Sequence, residues 1–278
     1  MATTLFNALN GVHSSVTFCQ SAMRRIATER SEMRLARIQT PDGPRPVVAD
    51  GENWAVVTDL FANPLERTGE THPVEGARLL APVEPRVVLG MAHNGAPGDR
   101  DIPRQAFMKS ARTVVGPGDP IEVDASLGTI NAEGELVLVV GRRSRHLHDE
   151  QAAAHVLGWT IGNDVTNVDQ ADEKATQVKN GDGYTPLGPW IETELPDALD
   201  LAMTMYRNGQ QVAVARTSQL AWNPCEVFSY LTRYMTLDAG DVILTGSPAT
   251  FFPIVAGDEC RCELDGLGAL VNPVVAAP

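Results

Sequence analysis

The stretch NAEGELVLVVG, residues 131–141, sets Glu133 and Glu135 one residue apart, directly before an apolar run from Leu136 to Val140. On a strand, residues i and i+2 point to the same face, so the two carboxylates repel at close range unless something positive lies between them. From the triplet alone, a solvated turn ahead of the strand is the stronger reading. A third carboxylate shifts the balance: Asp164 closes the strand-like run AHVLGWTIGND, and a strand end is a common place for a site. Three hard oxygen ligands with no Cys or His partner suit Mg²⁺, Mn²⁺ or Ca²⁺ better than Zn²⁺.

The charge of the chain limits what such a site can serve. Against 35 Asp and Glu stand 22 Lys and Arg, a formal charge of −13, which repels phosphate backbones and anionic membranes. Nucleic acid and membrane partners are therefore not expected, and a small anionic substrate must find its positive charge locally, in a metal or a few lysines. No apolar run approaches the roughly 18 residues of a membrane helix. Cys19, Cys225, Cys260 and Cys262 are too few and too unevenly spaced for a disulfide framework, so reduced thiols in a cytoplasmic protein are expected. Cys260 and Cys262 alternate with charged residues, as core-facing positions of a strand do. The sequence carries no GxxxxGK[ST] phosphate loop, no HExxH zinc helix and no GxSxG nucleophile elbow.

The elements that must position the carboxylates are mostly strands. With 278 residues, 43% of them hydrophobic, the chain can bury a sizeable core. Residues 1–32 read as a poorly ordered extension. Residues 33–85, with turn signals Pro-Asp-Gly and Asp-Gly-Glu-Asn between apolar pieces, read as a small β-rich unit. Residues 86–278 form the main body, with strands expected around 86–90, 134–141, 155–163, 202–207, 211–216, 241–245 and 259–264. Two helices have readable starts: Asp149 or His148 caps DEQAAAHVLG, and Asn223-Pro224-Cys225-Glu226 supplies a cap, a first-turn proline and a glutamate at the third position. Glu226 therefore reads as a cap. The class is α+β, dominated by β structure.

These segments carry a family resemblance. EGELVLVVG, GWTIGNDVT, KNGDGYTPLGPWI, AGDVILTGSPA and GLGALVNPV, in this order over roughly residues 86–275, resemble the fumarylacetoacetate hydrolase family. The resemblance implies a mixed β-roll, usually a homodimer, holding Mg²⁺ or Mn²⁺, with Ca²⁺ a third option, on Glu133, Glu135 and Asp164. It implies a small 2-oxo or 1,3-diketo acid as substrate and a metal-stabilised enolate, with C–C bond hydrolysis as the default reaction. Lys179 and Lys109 match family lysines that could hold the substrate carboxylate or an oxyanion. Thr245-Gly246-Ser247 matches a turn near the substrate whose backbone N–H groups could bind an anion.

The chain departs from the family pattern around His93. Hydrolytic members carry a His–Glu pair that activates water; here GMAHNGAPGDRDIPRQAFMK is shorter and has no Glu between His93 and Lys109. His93 is left with two readings, water activation or a structural and substrate contact, and Asp99 or Asp101 as substitute partners. Val168 stands where the family often has Arg. These changes open a runner-up expectation of decarboxylation, tautomerisation, isomerisation or dehydration, and a third of a non-catalytic binding protein.

Overall fold

The computed structural model describes residues 33–170, 176–195 and 198–278. The proposed extension, residues 1–32, lies outside them. Among the described residues the chain forms a 14-stranded mixed sheet and a 5-stranded sheet. This is the β-dominated α+β architecture expected from the sequence. No helix among them is long and apolar enough to cross a membrane.

The strand Ile130–Val140 organises the molecule. Its even-numbered side chains, among them Leu136 and Leu138, join a core with Met203, Met205, Cys260 and Cys262 of the smaller sheet. Val137 and Val139 face the opposite core with Leu187, Ile191 and Leu244. Both faces are covered, which is why the sequence reads as a continuous apolar run rather than an alternating one. Glu133 and Glu135 continue the odd-numbered face. They lie inside the strand, which removes the solvated-turn reading.

This strand also changes partners where the glutamates sit. Residues Ile130 to Glu133 pair with Phe251–Ile254, whereas Gly134 to Val140 pair with Val156–Asn163. On its other side Val137 to Val139 pair with Val242–Leu244. The expected helix beginning near Asp149 is short, Asp149–Ala152 with His148 as its N-cap, because Val156 onward is claimed by the sheet. The helix Pro224–Thr232 begins as expected: Asn223 Oδ1 accepts from the Glu226 N–H at 3.1 Å, and the Glu226 carboxylate accepts from the Asn223 N–H at 2.9 Å.

The N-terminal strands do not stand apart as a separate layer. Arg34–Thr40 pairs antiparallel with Thr185–Glu192 and so extends the large sheet. Cys260 and Cys262 are free and buried, as expected. Cys225 corrects the expectation of reduced thiols throughout, since it is disulfide-bonded.

Candidate metal centre and active site

Glu133, Glu135 and Asp164 come together, with one oxygen from each within 4.8 Å of the others. The backbone fixes this directly. Asp164 follows the last residue of Val156–Asn163, and its N–H donates to the Glu133 carbonyl at 2.8 Å. Asn163 Oδ1 accepts the Glu133 N–H at 2.8 Å. Between the glutamates, Gly134 faces the other way; a Cβ there would lie 2.4 Å from Met205 Sδ and 2.9 Å from Cys262 Sγ. The glycine lets the two sheets close behind the carboxylates.

Gly246 completes the floor by donating its N–H to Glu135 Oε2 at 2.6 Å. Its backbone has φ +117°, and a Cβ would lie 2.3 Å from the Asn94 carbonyl oxygen, so glycine is required at this approach. Thr245 is fully buried, its hydroxyl donating to the Leu136 carbonyl at 2.7 Å. In this turn the Thr245 and Gly246 N–H groups donate to Leu136 and Glu135, and of the three residues Ser247 lines the cavity.

The two lysines also divide their roles. Lys109 ends the strand Gln105–Lys109 and is fully buried, with Nζ 2.5 Å from Asp164 Oδ1, 2.7 Å from the Tyr184 carbonyl and 3.2 Å from the Val165 carbonyl. Those contacts use its three donors. Lys109 is thus turned onto Asp164 and does not line the cavity, where the sequence suggested a contact with a substrate carboxylate or oxyanion. Lys179, the last residue of Thr176–Lys179, does line the cavity. Its Nζ is 2.5 Å from Asp164 Oδ2, 2.6 Å from Thr166 Oγ1 and 3.6 Å from Glu133, with the Phe107 ring centroid at 4.4 Å. Asn180 Oδ1 accepts the Ser110 N–H at 2.6 Å, tying the two lysine-bearing segments together.

Burial pushes the Glu135 carboxyl well above its usual range, and the negative charge of Asp164 adds to this against the pull of the Gly246 N–H. Glu133 is raised by burial too, partly offset by Lys179. For Asp164 burial acts upward, but Lys109 and Lys179 outweigh it and hold the carboxyl below its usual range. Burial lowers Lys109 despite Asp164, whereas Asp164 and Glu133 together overcome burial and raise Lys179. The positive charge is thus concentrated on Asp164, with Lys179 reaching Glu133 only at 3.6 Å and Glu135 held by a backbone N–H in place of a lysine. An all-oxygen set with this charge deficit fits a hard divalent ion.

Above this floor lies a cavity of about 420 Å³, lined by the three carboxylates, Lys179, Ser247 and a rim that includes His93, Asp99, Phe107, Val168 and Phe251. His93 has φ 52° and is exposed. Asp99 Oδ2 accepts the Gly95 and Ala96 N–H groups at 2.8 and 3.0 Å. The rim segment is pinned to the helix Pro224–Thr232: Arg100 donates to both Glu226 oxygens at 2.9 and 3.1 Å and stacks on Trp222 at 4.2 Å, while Arg104 stacks on the same ring at 4.4 Å. Phe107 and Asn94 were not singled out from the sequence. Phe107 lies across Gly90, where a Cβ would be 2.1 Å from its ring, and that pairing of strands was the only signal available.

Comparison with known proteins agrees with this geometry. The family model described as Fumarylacetoacetate (FAA) hydrolase C-terminal matches residues 83–275, and one described as Rv2993c-like, N-terminal matches residues 33–82. Oxaloacetate tautomerase fahd2 of Xenopus laevis is 32% identical over 217 residues, 71% of this chain and 68% of that one. The crystal structure of 2-hydroxyhepta-2,4-diene-1,7-dioate isomerase from Mycobacterium marinum is 35% identical, covers 88% of this chain and 98% of its own, and superposes with a TM-score of 0.82. Maleylpyruvate hydrolase from Sphingobium sp. SYK-6, solved with manganese(II) and pyruvate, is 26% identical, covers 88% of this chain and all of its own, with a TM-score of 0.75. By these matches and by its carboxylate-bearing roll, this chain belongs to the fumarylacetoacetate hydrolase family.

Proposed function

We propose that the chain is a divalent-metal-dependent enzyme that acts on a small 2-oxo or 1,3-diketo acid through its enolate. The observation that carries this reading is the trio Glu133, Glu135 and Asp164, the last two buried, whose oxygens converge and open onto the cavity. Glu133, Glu135 and Asp164 would hold Mg²⁺ or Mn²⁺. When bound, the ion supplies Lewis-acid stabilisation of negative charge on the enolate oxygen. Lys179 contributes a second positive charge beside that oxygen, Ser247 offers a hydroxyl to the substrate, and His93 exchanges a proton at the carbon next to the keto group.

Among the described residues no carboxylate is hydrogen-bonded to His93, and the oxygen of Asp99 nearest the turn is occupied by two backbone N–H groups. This favours proton transfer, as in tautomerisation or isomerisation, over cleavage by an activated water. Hydrolysis of a C–C bond, the family default, is the second reading, and the presence of His93 in the same cavity favours it. The division into residues 33–85 and a catalytic body over 86–278, a homodimeric assembly and a cytoplasmic location belong to the same proposal.

The test is turnover with Mg²⁺ or Mn²⁺ against acylpyruvates, oxaloacetate and 2-hydroxydienoates, followed by NMR in D₂O. Metal-dependent deuterium entry next to the keto group without cleavage is expected. Cleavage products would select hydrolysis, and binding of the acids without exchange or cleavage would leave a non-catalytic family member.

A further inference from the structure

We infer that Asn131 is a specificity-determining residue: its side-chain amide donates a hydrogen bond to a second oxygen-bearing group of the substrate, a carbonyl or carboxylate several carbons beyond the 2-oxo acid. The inference rests on the reading of the site given above and deepens it. Asn131, Glu133 and Glu135 occupy alternate positions of the strand Ile130–Val140 and so share one face. Along the strand that face is open toward its start alone. Past Glu135 the positions become Val137 and Val139, fully buried in the core. In the other direction lies Asn131, which lines the cavity at one side-chain repeat, about 7 Å, from Glu133. A substrate whose 2-oxo acid end sits at the carboxylate trio meets Asn131 with the remote part of its chain.

What singles out Asn131 is that its hydrogen-bonding groups are unused. The uncharged polar side chains lining the cavity, histidine aside, are Asn94, Asn131 and Ser247. Asn94 donates to the Trp222 and Thr245 carbonyls at 3.0 and 2.6 Å and accepts the Trp222 N–H at 2.7 Å. Ser247 pairs its hydroxyl with that of Thr250 at 3.0 Å. The Asn131 amide has no hydrogen-bond partner among the described residues. Its neighbours across the two ladders explain why. Thr166 has its hydroxyl engaged, accepting from Lys179 at 2.6 Å and donating to the Asp164 carbonyl at 2.9 Å. On the other side Pro253 carries no polar side-chain atom. Half-buried and unpaired, the amide keeps two donors for a ligand. Being uncharged, it serves the oxygen of a carbonyl or of a carboxylate.

Two acids that differ only at the remote end test this: 2-oxohexanedioate, which ends in a carboxylate, and 2-oxohexanoate, which ends in a methyl group. Binding of each to the Mn²⁺-loaded protein is measured by calorimetry for the unaltered chain and for Asn131→Leu, which keeps the size of the side chain and removes its amide. The substitution is expected to weaken 2-oxohexanedioate about fivefold or more and to leave 2-oxohexanoate within about twofold. Unchanged Mn²⁺ affinity in the variant shows that the strand is intact. Asn131→Asp exchanges the donor for a like charge and should weaken 2-oxohexanedioate, relative to 2-oxohexanoate, further still.

An equal loss for both acids in Asn131→Leu, or no loss for either, would overturn the inference, as would Asn131→Asp holding 2-oxohexanedioate as tightly as the unaltered protein does. The underlying reading fails differently: the unaltered, Mn²⁺-loaded protein would then bind neither acid, and the inference would fall with it.

Discussion

Glu135 stands on one strand in the middle of the large sheet and Asp164 directly after the strand paired with it, and they are 2% and 1% exposed. His93 and Asp99 face the same cavity from a short turn, Pro97–Asp101 and the residues before it, which combines local bonds at Asp99 with ties from Asn94 to Trp222 and Thr245 and from Arg100 to Glu226. The floor is held by a ladder, by backbone N–H groups and by a fully buried lysine. The rim is held by side chains: two arginines stacked on one tryptophan, the Arg100–Glu226 pair, and the bonds of Asn94 to Trp222 and Thr245. A change in the floor must be accommodated by two packed sheets, whereas the rim can be rebuilt at little cost to the fold. This explains how the carboxylate trio keeps the family pattern while the segment around His93 departs from it.

The largest effect should come from removing one floor ligand. Glu135→Gln is expected to weaken Mn²⁺ binding about 100-fold or more and to abolish metal-dependent exchange, with the fold intact. The pH dependence sharpens this expectation. Glu135 ordinarily titrates near 4.5 and is raised well above that by burial. In the metal-free protein the folded state then holds a proton that the unfolded chain has already lost, so stability falls as pH rises from 4.5 to the raised value. Glu135→Gln should flatten that fall in urea titrations, and a saturating divalent ion should offset it. An identical slope in variant and parent would show that Glu135 is not the titrating group.

The second comparison sets the two lysines against each other. Lys109→Met should cost about 3–5 kcal/mol of stability, because it leaves the fully buried Asp164 with Lys179 alone and also removes the bonds to the Val165 and Tyr184 carbonyls in the interior. Lys179→Met leaves Asp164 still paired with Lys109 and should cost about 1–2 kcal/mol, while lowering turnover far more than the stability loss accounts for. Unfolding curves beside kinetics separate the two. Equal stability losses would mean that Lys179 is as structural as Lys109.

The sequence made the floor legible because a strand imposes period two: Glu133 and Glu135 had to share a face, and Asp164 closed a neighbouring strand. The proposal that they act as hard ligands followed from residue type. What it could not show was depth. Lys109 reads like any lysine in AFMKSA, and its burial depends on Asp164, 55 residues away, and on the Tyr184 carbonyl, 75 away. The turn at Thr245 showed the same limit: its motif was recognised, but whether its N–H groups face the substrate or the protein depends on Leu136 and Glu135 across the sheet. The rim was legible only as a departure. The missing Glu was visible, whereas the stacking of Arg100 and Arg104 on Trp222 brings together residues that no local pattern connects.

The smallest effect should come from the rim's anchor. Arg100→Ala removes one guanidinium from the Trp222 face and both bonds to Glu226, but Arg104 keeps the other stack and Glu226 keeps its capping bond to Asn223. The Arg100 side chain is 27% exposed, so solvent screens the pair, and about 1 kcal/mol of stability is the expected loss. The loosened segment carries Asp99 and His93 but none of the three carboxylates. KM should therefore rise about three- to tenfold while Mn²⁺ affinity, measured in the absence of substrate, stays at the parent value. A parallel loss of metal affinity would break the comparison, because it would mean that the stacked rim, and not only the strand ladder, holds the carboxylates in place.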